Sequence, residues 1–230
     1  SSAVESAPEA AAALEPESQP EPVKPLARAA PAAPKEKTPR RISLATTLIM
    51  LAILLAGAWL RLSNLDWDAG THQHPDERFM TIVAERIKPV DLVDYFDTEN
   101  SSLNPFQNNA GYTYGMLPLF ITRAVGGWLD KTHYDEVVLV GRSLSAFFDL
   151  AALFMLFVLG NMLFNRRVGL LAAALYAVAV LPIQLSHYFA VDSFATVFMV
   201  AGFIFAYQAV PLLPERFGRG RIDWYNFALF

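Results

Sequence analysis

Between Ile42 and Leu60 the chain runs without a single charged residue, and this stretch limits the fold more than anything else in the sequence. As a helix it is long enough to cross roughly 30 Å of hydrocarbon. Three more apolar blocks follow. Ser143 to Phe164 carries one charge, Asp149; Val168 to Val191 and Ser193 to Pro214 carry none. A further run opens near Asp223. With 54% hydrophobic residues gathered into such blocks, the chain is too apolar for an ordinary soluble domain. Only helices and closed barrels can span lipid, and blocks of this length are helical. The fold class is therefore all-α, a polytopic membrane helical bundle.

The remaining composition excludes some functions. There is no cysteine, which removes disulfide frameworks and thiolate metal sites. The arginines sit in small groups between apolar blocks, so nothing resembles a nucleic-acid footprint. Residues 1–39 are Ala, Pro and Glu with scattered Lys, a composition expected to form a disordered cytoplasmic tail. The chain reads as the N-terminal part of a longer membrane protein, with 40–230 as its bundle. Spans are expected at about 42–62, 143–164, 168–187 and 193–213, with a fifth starting about 223.

Arginine placement orients these spans. Arg40 and Arg41 precede the first, Arg166 and Arg167 follow the second, and Arg216, Arg219 and Arg221 follow the fourth. All three groups fall on the cytoplasmic side only if Gly115 to Leu129 does not span. That segment is short and contains Pro118 and, in its middle, Arg123. A central arginine costs about 2.5–3.5 kcal/mol in a lone spanning helix. Residues 115–129 are therefore read as an interfacial helix. The outer face then holds the loop 63–141, Arg142 and the hairpin at His187 to Asp192.

Inside that loop, His72-Gln73-His74-Pro75-Asp76-Glu77-Arg78-Phe79 gathers two histidines, two acids and an arginine where the chain leaves the first span. Pro75 suits the first position of a helix, because its missing N–H would have no partner there. The spacing predicts an amphipathic juxtamembrane helix over 76–88, with Phe79, Ile82, Val83 and Ile87 on its apolar stripe. Asp76 and Glu77 fit the first turn by simple macrodipole chemistry, yet two acids flanked by two histidines at a membrane exit also fit a reaction centre. Arg142 reads either as a snorkelling anchor or as a clamp on a lipid-linked phosphate. Asp149, two turns further in, needs a partner or a wet cavity, which Arg142 or a group beyond Phe230 could supply. Asn100 to Tyr114 has the Asn, Ser, Gly and Tyr content of a sugar-binding loop, and equally of an ordinary one. Asp192 is a turn residue or a second acid of the site, with His187 and Tyr188 beside it.

In these residues the chain resembles the GT-C superfamily of polyprenyl-phosphate-dependent glycosyltransferases, nearest the protein O-mannosyltransferases and the lipid A aminoarabinose transferase. The resemblance rests on Pro75-Asp76-Glu77, the amphipathic helix after it, Arg142 opening the next span, and Tyr188 to Asp192. It covers about Leu44 to Val210. It implies an active site on the extracytoplasmic side of the cell membrane. There a sugar moves with inversion from polyprenyl phosphate to a protein, lipid or glycan acceptor. Asp76 would be the general base, with Glu77 and Asp192 placing the acceptor or, in some relatives, a divalent cation such as Mg or Mn. Arg142 and Arg78 would hold the donor phosphate, and His74, Tyr114, His187 and Tyr188 would line the substrate site. The aminoarabinose transferase carries a Lys-Pro pair where this chain has Tyr112-Thr113-Tyr114-Gly115, with no lysine. A carboxylate base implies loss of rate below pH about 5. Two other readings compete. One is a metal hydrolase using His72, His74, Asp76 and His187, although no His-Glu-x-x-His spacing is present. The other is a non-catalytic membrane subunit or transporter, whose polar site would lie nearer the midplane.

Overall fold

A computed structural model describes residues 43–97, 99–107 and 111–209. The tail at 1–39, the fifth span and the end of the fourth lie outside them. The described residues form eight helices and no strand. Among them, three helices are long and apolar enough to cross a membrane, and a bent pair passes the same test when its two halves are taken together. The chain is a helical membrane bundle.

The first helix, α1 (Leu44–Leu62), starts where Ser43 accepts the Thr46 N–H on its hydroxyl at 3.2 Å. It presents Leu48, Leu55 and Trp59 outward, and turns Thr46, Met50, Gly57 and Arg61 inward. The uncharged stretch ends at Leu60, but the helix carries on and takes Arg61 inside with no exposed surface. After the turn that follows come α2 (Pro75–Arg86), the short α3 (Leu92–Phe96) and α4 (Met116–Trp128).

Pro75 does open α2, capped by His74, whose Nδ1 accepts the Glu77 N–H at 3.3 Å. The buried face shares Val83 and Ile87 with the expected stripe but is turned from the rest of it. Met80, Val83, Ala84 and Ile87 are buried together with Glu77 and Thr81, whereas Phe79 and Ile82 are only half-buried. The helix has rolled to bring a carboxylate inward. It packs on α4 and on the next helix, with Leu119, Val137 and Phe189 completing that core.

At 13 residues, α4 spans about 20 Å, too short to cross the hydrocarbon. Its Arg123 donates to Thr132 O at 3.2 Å. Burial pulls the Arg123 guanidinium below its ordinary value, and the charge of Glu85 opposes this.

The longest helix, α5 (Tyr134–Leu163), begins a full two turns before the span expected from 143. Asp135 and Glu136 occupy its first turn, and Glu85 accepts the Tyr134 N–H at 3.1 Å. At 30 residues it is about 45 Å long, so its first turns stand clear of the hydrocarbon. Arg142 is thus inside a helix and 1% exposed, which rules out the snorkelling anchor.

Asn165 caps α6 (Arg166–Val178) by accepting from the N–H groups of Arg167 and Val168. The third expected span is not straight. It breaks after Val178 and resumes as α7 (Val180–Ser186) at 59°. Pro182 has no N–H and its ring would strike the Val178 carbonyl, which accounts for the break. Arg61 fills the gap: Nη1 reaches Ala177 O at 2.9 Å and Nη2 reaches Tyr176 O at 3.1 Å. Its Nε pairs with Asp149, whose other oxygen accepts the Tyr176 hydroxyl at 2.6 Å. The partner of Asp149 is therefore Arg61, not Arg142. The last described helix, α8 (Val191–Ala209), packs along α5.

Two close approaches to α5 require glycine. A Cβ on Gly169 would lie 2.6 Å from Phe157 O, so α5 and α6 meet backbone to backbone. A Cβ on Gly141 would enter the ring of Phe189. The backbone N–H of Phe189 is tied to Glu77 at 2.7 Å, so the ring has little room to withdraw. Gly141→Ala is expected to cost about 1–3 kcal/mol by overpacking. Thermal unfolding in detergent should show the loss, and a wild-type midpoint would mean that the ring moves freely.

Candidate active site

The site lies at the end of the bundle where α1 finishes, α5 begins, and α7 turns into α8. Its foundation is Arg142. Glu77 receives two of its N–H bonds, from Nε and Nη2, each at 2.7 Å. Asp68 receives two more, from Nη1 at 3.0 Å and Nη2 at 2.9 Å. Leu65 O takes the last, from Nη1 at 2.7 Å. All five donors of the guanidinium are engaged, so none is left for a phosphate. Trp67 covers the group, its ring centre 5.6 Å away. One cation therefore fixes the turn after α1, the start of α2 and, through Glu77 and Phe189, the α7–α8 turn.

Asp68 can serve because the chain doubles back there. Asn64, Ala69, Gly70 and His72 all have positive φ, which folds residues 63–74 into a tight crossing. The Arg142 hydrogen bond holds the Asp68 carboxyl down at about 2, against an ordinary 3.8, with burial opposing. A depressed carboxylate contributes its full stabilisation above the unfolded value and loses it as pH falls through the folded one. The stability gap between wild type and Asp68→Asn is thus expected to stay level above pH about 4, at about 2 kcal/mol. It should close towards pH 2; a gap that persists there would break the link to Arg142.

Above this foundation lies an open layer. Asp76, one residue before Glu77, points the other way and is exposed. The Tyr114 hydroxyl hydrogen-bonds to it. That bond, then burial, then the charges of Asp76 and of Asp192 push the Tyr114 phenol up, so it stays a donor. Asp192 is exposed in the first turn of α8, and its charge acts on the same phenol as that of Asp76. These two acids lie 116 residues apart in the sequence. His74 stacks on Tyr188 with ring centres 4.5 Å apart, and Tyr188 meets Trp67 edge-on at 5.6 Å. Arg78 is exposed in the first turn of α2.

Several expected residues take other positions. Glu77 has no exposed surface, and both its oxygens are used by Arg142 and Phe189. His187 faces carbonyls with both ring nitrogens, Ile183 O at 2.8 Å and Ser63 O at 3.0 Å, and so ties α7 to the end of α1. His72 lies against Tyr134 and contacts Asp135 at 3.2 Å. Asp68, Trp67 and Arg61 were absent from the sequence expectation. A tryptophan and an acid directly after a span were the available signal for the first two.

Among the described residues, no three His, Asp or Glu gather so as to hold a metal ion. Asp76 and Asp192, both exposed and both acting on the Tyr114 phenol, are candidates for taking a proton and orienting a hydroxyl. They do not fit a divalent cation held by protein groups alone.

A sequence model for dolichyl-phosphate-mannose-protein mannosyltransferase matches residues 115–229. The matched half contains Arg142 and Asp192, while Asp76 and Tyr114 precede it. No curated protein and no solved structure matches the chain.

Proposed function

The chain belongs to the dolichyl-phosphate-mannose-protein mannosyltransferase family, and from that premise we propose that it transfers mannose from a polyprenyl phosphate to a hydroxyl of a protein acceptor. Membership makes it a membrane glycosyltransferase of the GT-C type. The observation that supports the finer reading is the docking of the α7–α8 turn, which leads into Asp192, on the start of α2, which carries Asp76, through His74 on Tyr188 and Glu77 on the Phe189 N–H.

In the proposed reaction the acceptor oxygen attacks the anomeric carbon from the face opposite the phosphate. A carbon–oxygen bond forms to the acceptor while the bond to the phosphate oxygen breaks, giving inversion. The bonding pair leaves with the polyprenyl phosphate, and the acceptor proton passes to Asp76. Tyr114 holds Asp76 in place by hydrogen bonding, and Asp192 orients the acceptor. Arg78, exposed in the same first turn of α2, contacts the departing phosphate. His74 and Tyr188 offer an aromatic face to the sugar. Arg142 and Glu77 are assigned as positioning residues, because their polar atoms are already used by the protein. The positive-inside arrangement of arginines supports an extracytoplasmic site with a cytoplasmic N-terminus.

Membranes carrying the full-length protein should move labelled mannose from polyprenyl phosphate to a Ser- or Thr-containing polypeptide. Uptake of free solute without any transfer would instead establish a carrier.

A further inference from the structure

Away from Arg142 and Asp76, a cavity of about 280 Å³ opens between α3, the loop after it and α4. Tyr95, Phe96, Leu103, Phe106, Met116 and Phe120 make its walls. It is just below the usual range for small-molecule sites, about 300–1,000 Å³, so it suits one large apolar side chain. Four of its walls are left open to the surface, with Phe96 76%, Tyr95 49%, Phe106 48% and Met116 45% exposed. Leu92 and Val93, each 79% exposed, extend the apolar surface along α3.

Charge selects the occupant. The segment that supplies Tyr95 and Phe96 carries Asp91, Asp94, Asp97 and Glu99 and no cation. Hydrogen bonds from Asn100 hold the Asp97 carboxyl below its ordinary value, so it stays ionised. Lys88, joined by its backbone to Ser102, is outnumbered. Such a rim repels anionic headgroups and attracts a basic polypeptide.

Position ties the cavity to the reaction. Phe106 in its wall meets Tyr112 at 6.0 Å, and Tyr112 meets Tyr114 at 5.9 Å. The wall is therefore within about 12 Å of the tyrosine that holds Asp76. An extended chain covers that distance in three or four residues at about 3.3 Å each.

We propose that this cavity is an acceptor-recognition site: it takes a Leu, Met or Phe side chain flanked by Lys or Arg, three or four residues from the hydroxyl that receives the sugar. The inference rests on a polypeptide being the acceptor.

The test uses the full-length protein in neutral phosphatidylcholine nanodiscs, without donor, and a fluorescent peptide with a serine and a downstream Lys-Phe-Lys. Binding is read by anisotropy. Exchanging the Phe for Ala should weaken binding about 10-fold or more, the expected worth of burying that ring. Exchanging both Lys for Glu should weaken it by a similar factor, narrowing in 0.5 M salt as screening sets in. Met116→Trp, which fills the mouth, and Asp94→Lys, which reverses a rim charge, should each lower affinity for the basic peptide, with unchanged unfolding midpoints. When donor is added, KM should favour the anchored peptide over its Ala form in the wild type, and Met116→Trp should level the two. Binding that ignores the anchor, or both variants, would overturn the proposal. So would a phospholipid that copurifies with the wild type and is lost from Met116→Trp, because the cavity would then hold a lipid tail. Anchored binding with no sugar transfer to any acceptor would remove the transferase reading and leave a peptide groove.

Discussion

Replacing Asp76 by Asn is expected to lower sugar transfer by about 10²–10⁴-fold, the usual worth of a positioned general base. The protein should still fold. Asp76 is exposed, and the Tyr114 hydroxyl can donate to an amide oxygen as well as to a carboxylate. The loss should fall on kcat and leave KM for the donor near its wild-type value, since the base acts in the transition state. Glu77→Gln, one residue away, is expected to show the reverse pattern: a lowered unfolding midpoint, and loss of activity only as the site loosens. This contrast makes the assignment testable, because residue type and helix position treat the two acids as equals. Full activity in a folded Asp76→Asn protein would remove the residue from the reaction.

Arg142→Met is expected to destabilise the protein by about 3–5 kcal/mol, the cost of stranding buried charge. Two carboxylates are stranded here, Asp68 at 5% and Glu77 at 0% exposure. Arg142→Lys should do little better, since an ammonium has three donors and cannot serve two forks and a carbonyl together. Adding Glu77→Gln and Asp68→Asn to Arg142→Met should recover a large part of the loss. No net charge is then buried, and Gln still offers an oxygen to the Phe189 N–H. Unfolding midpoints of the single and triple variants in one detergent decide the matter. A single variant with normal stability and a raised donor KM would return Arg142 to the phosphate.

The sequence showed where helices must be more readily than which side chains they join. Uncharged runs mark α1 and α8, Pro75 marks the start of α2, and Arg123 marks α4 as too costly to span. Local rules of length, proline stereochemistry and charge set these features. The partners of buried charges follow no local rule. Arg61 meets Asp149 across 88 positions, and Arg142 meets Asp68 across 74. Periodicity also misjudged the roll of α2. It ranks faces by hydrophobicity, and so could not foresee a buried carboxylate overriding Phe79 and Ile82. The bend at Pro182 was visible in the residue itself, but the neighbouring uncharged stretch concealed it.

The tie between Glu77 and Phe189 spans 112 positions, and this has a consequence for synthesis. A ribosome adding about 5–20 residues per second needs roughly 6–22 s to get from one to the other. Within that interval Arg142 arrives, 65 positions after Glu77, but the backbone N–H that completes the Glu77 contacts has not been made. α2 therefore cannot reach its final seat until two later crossings have entered the bilayer, and a ribosome stalled between these points would leave the loop open to proteases.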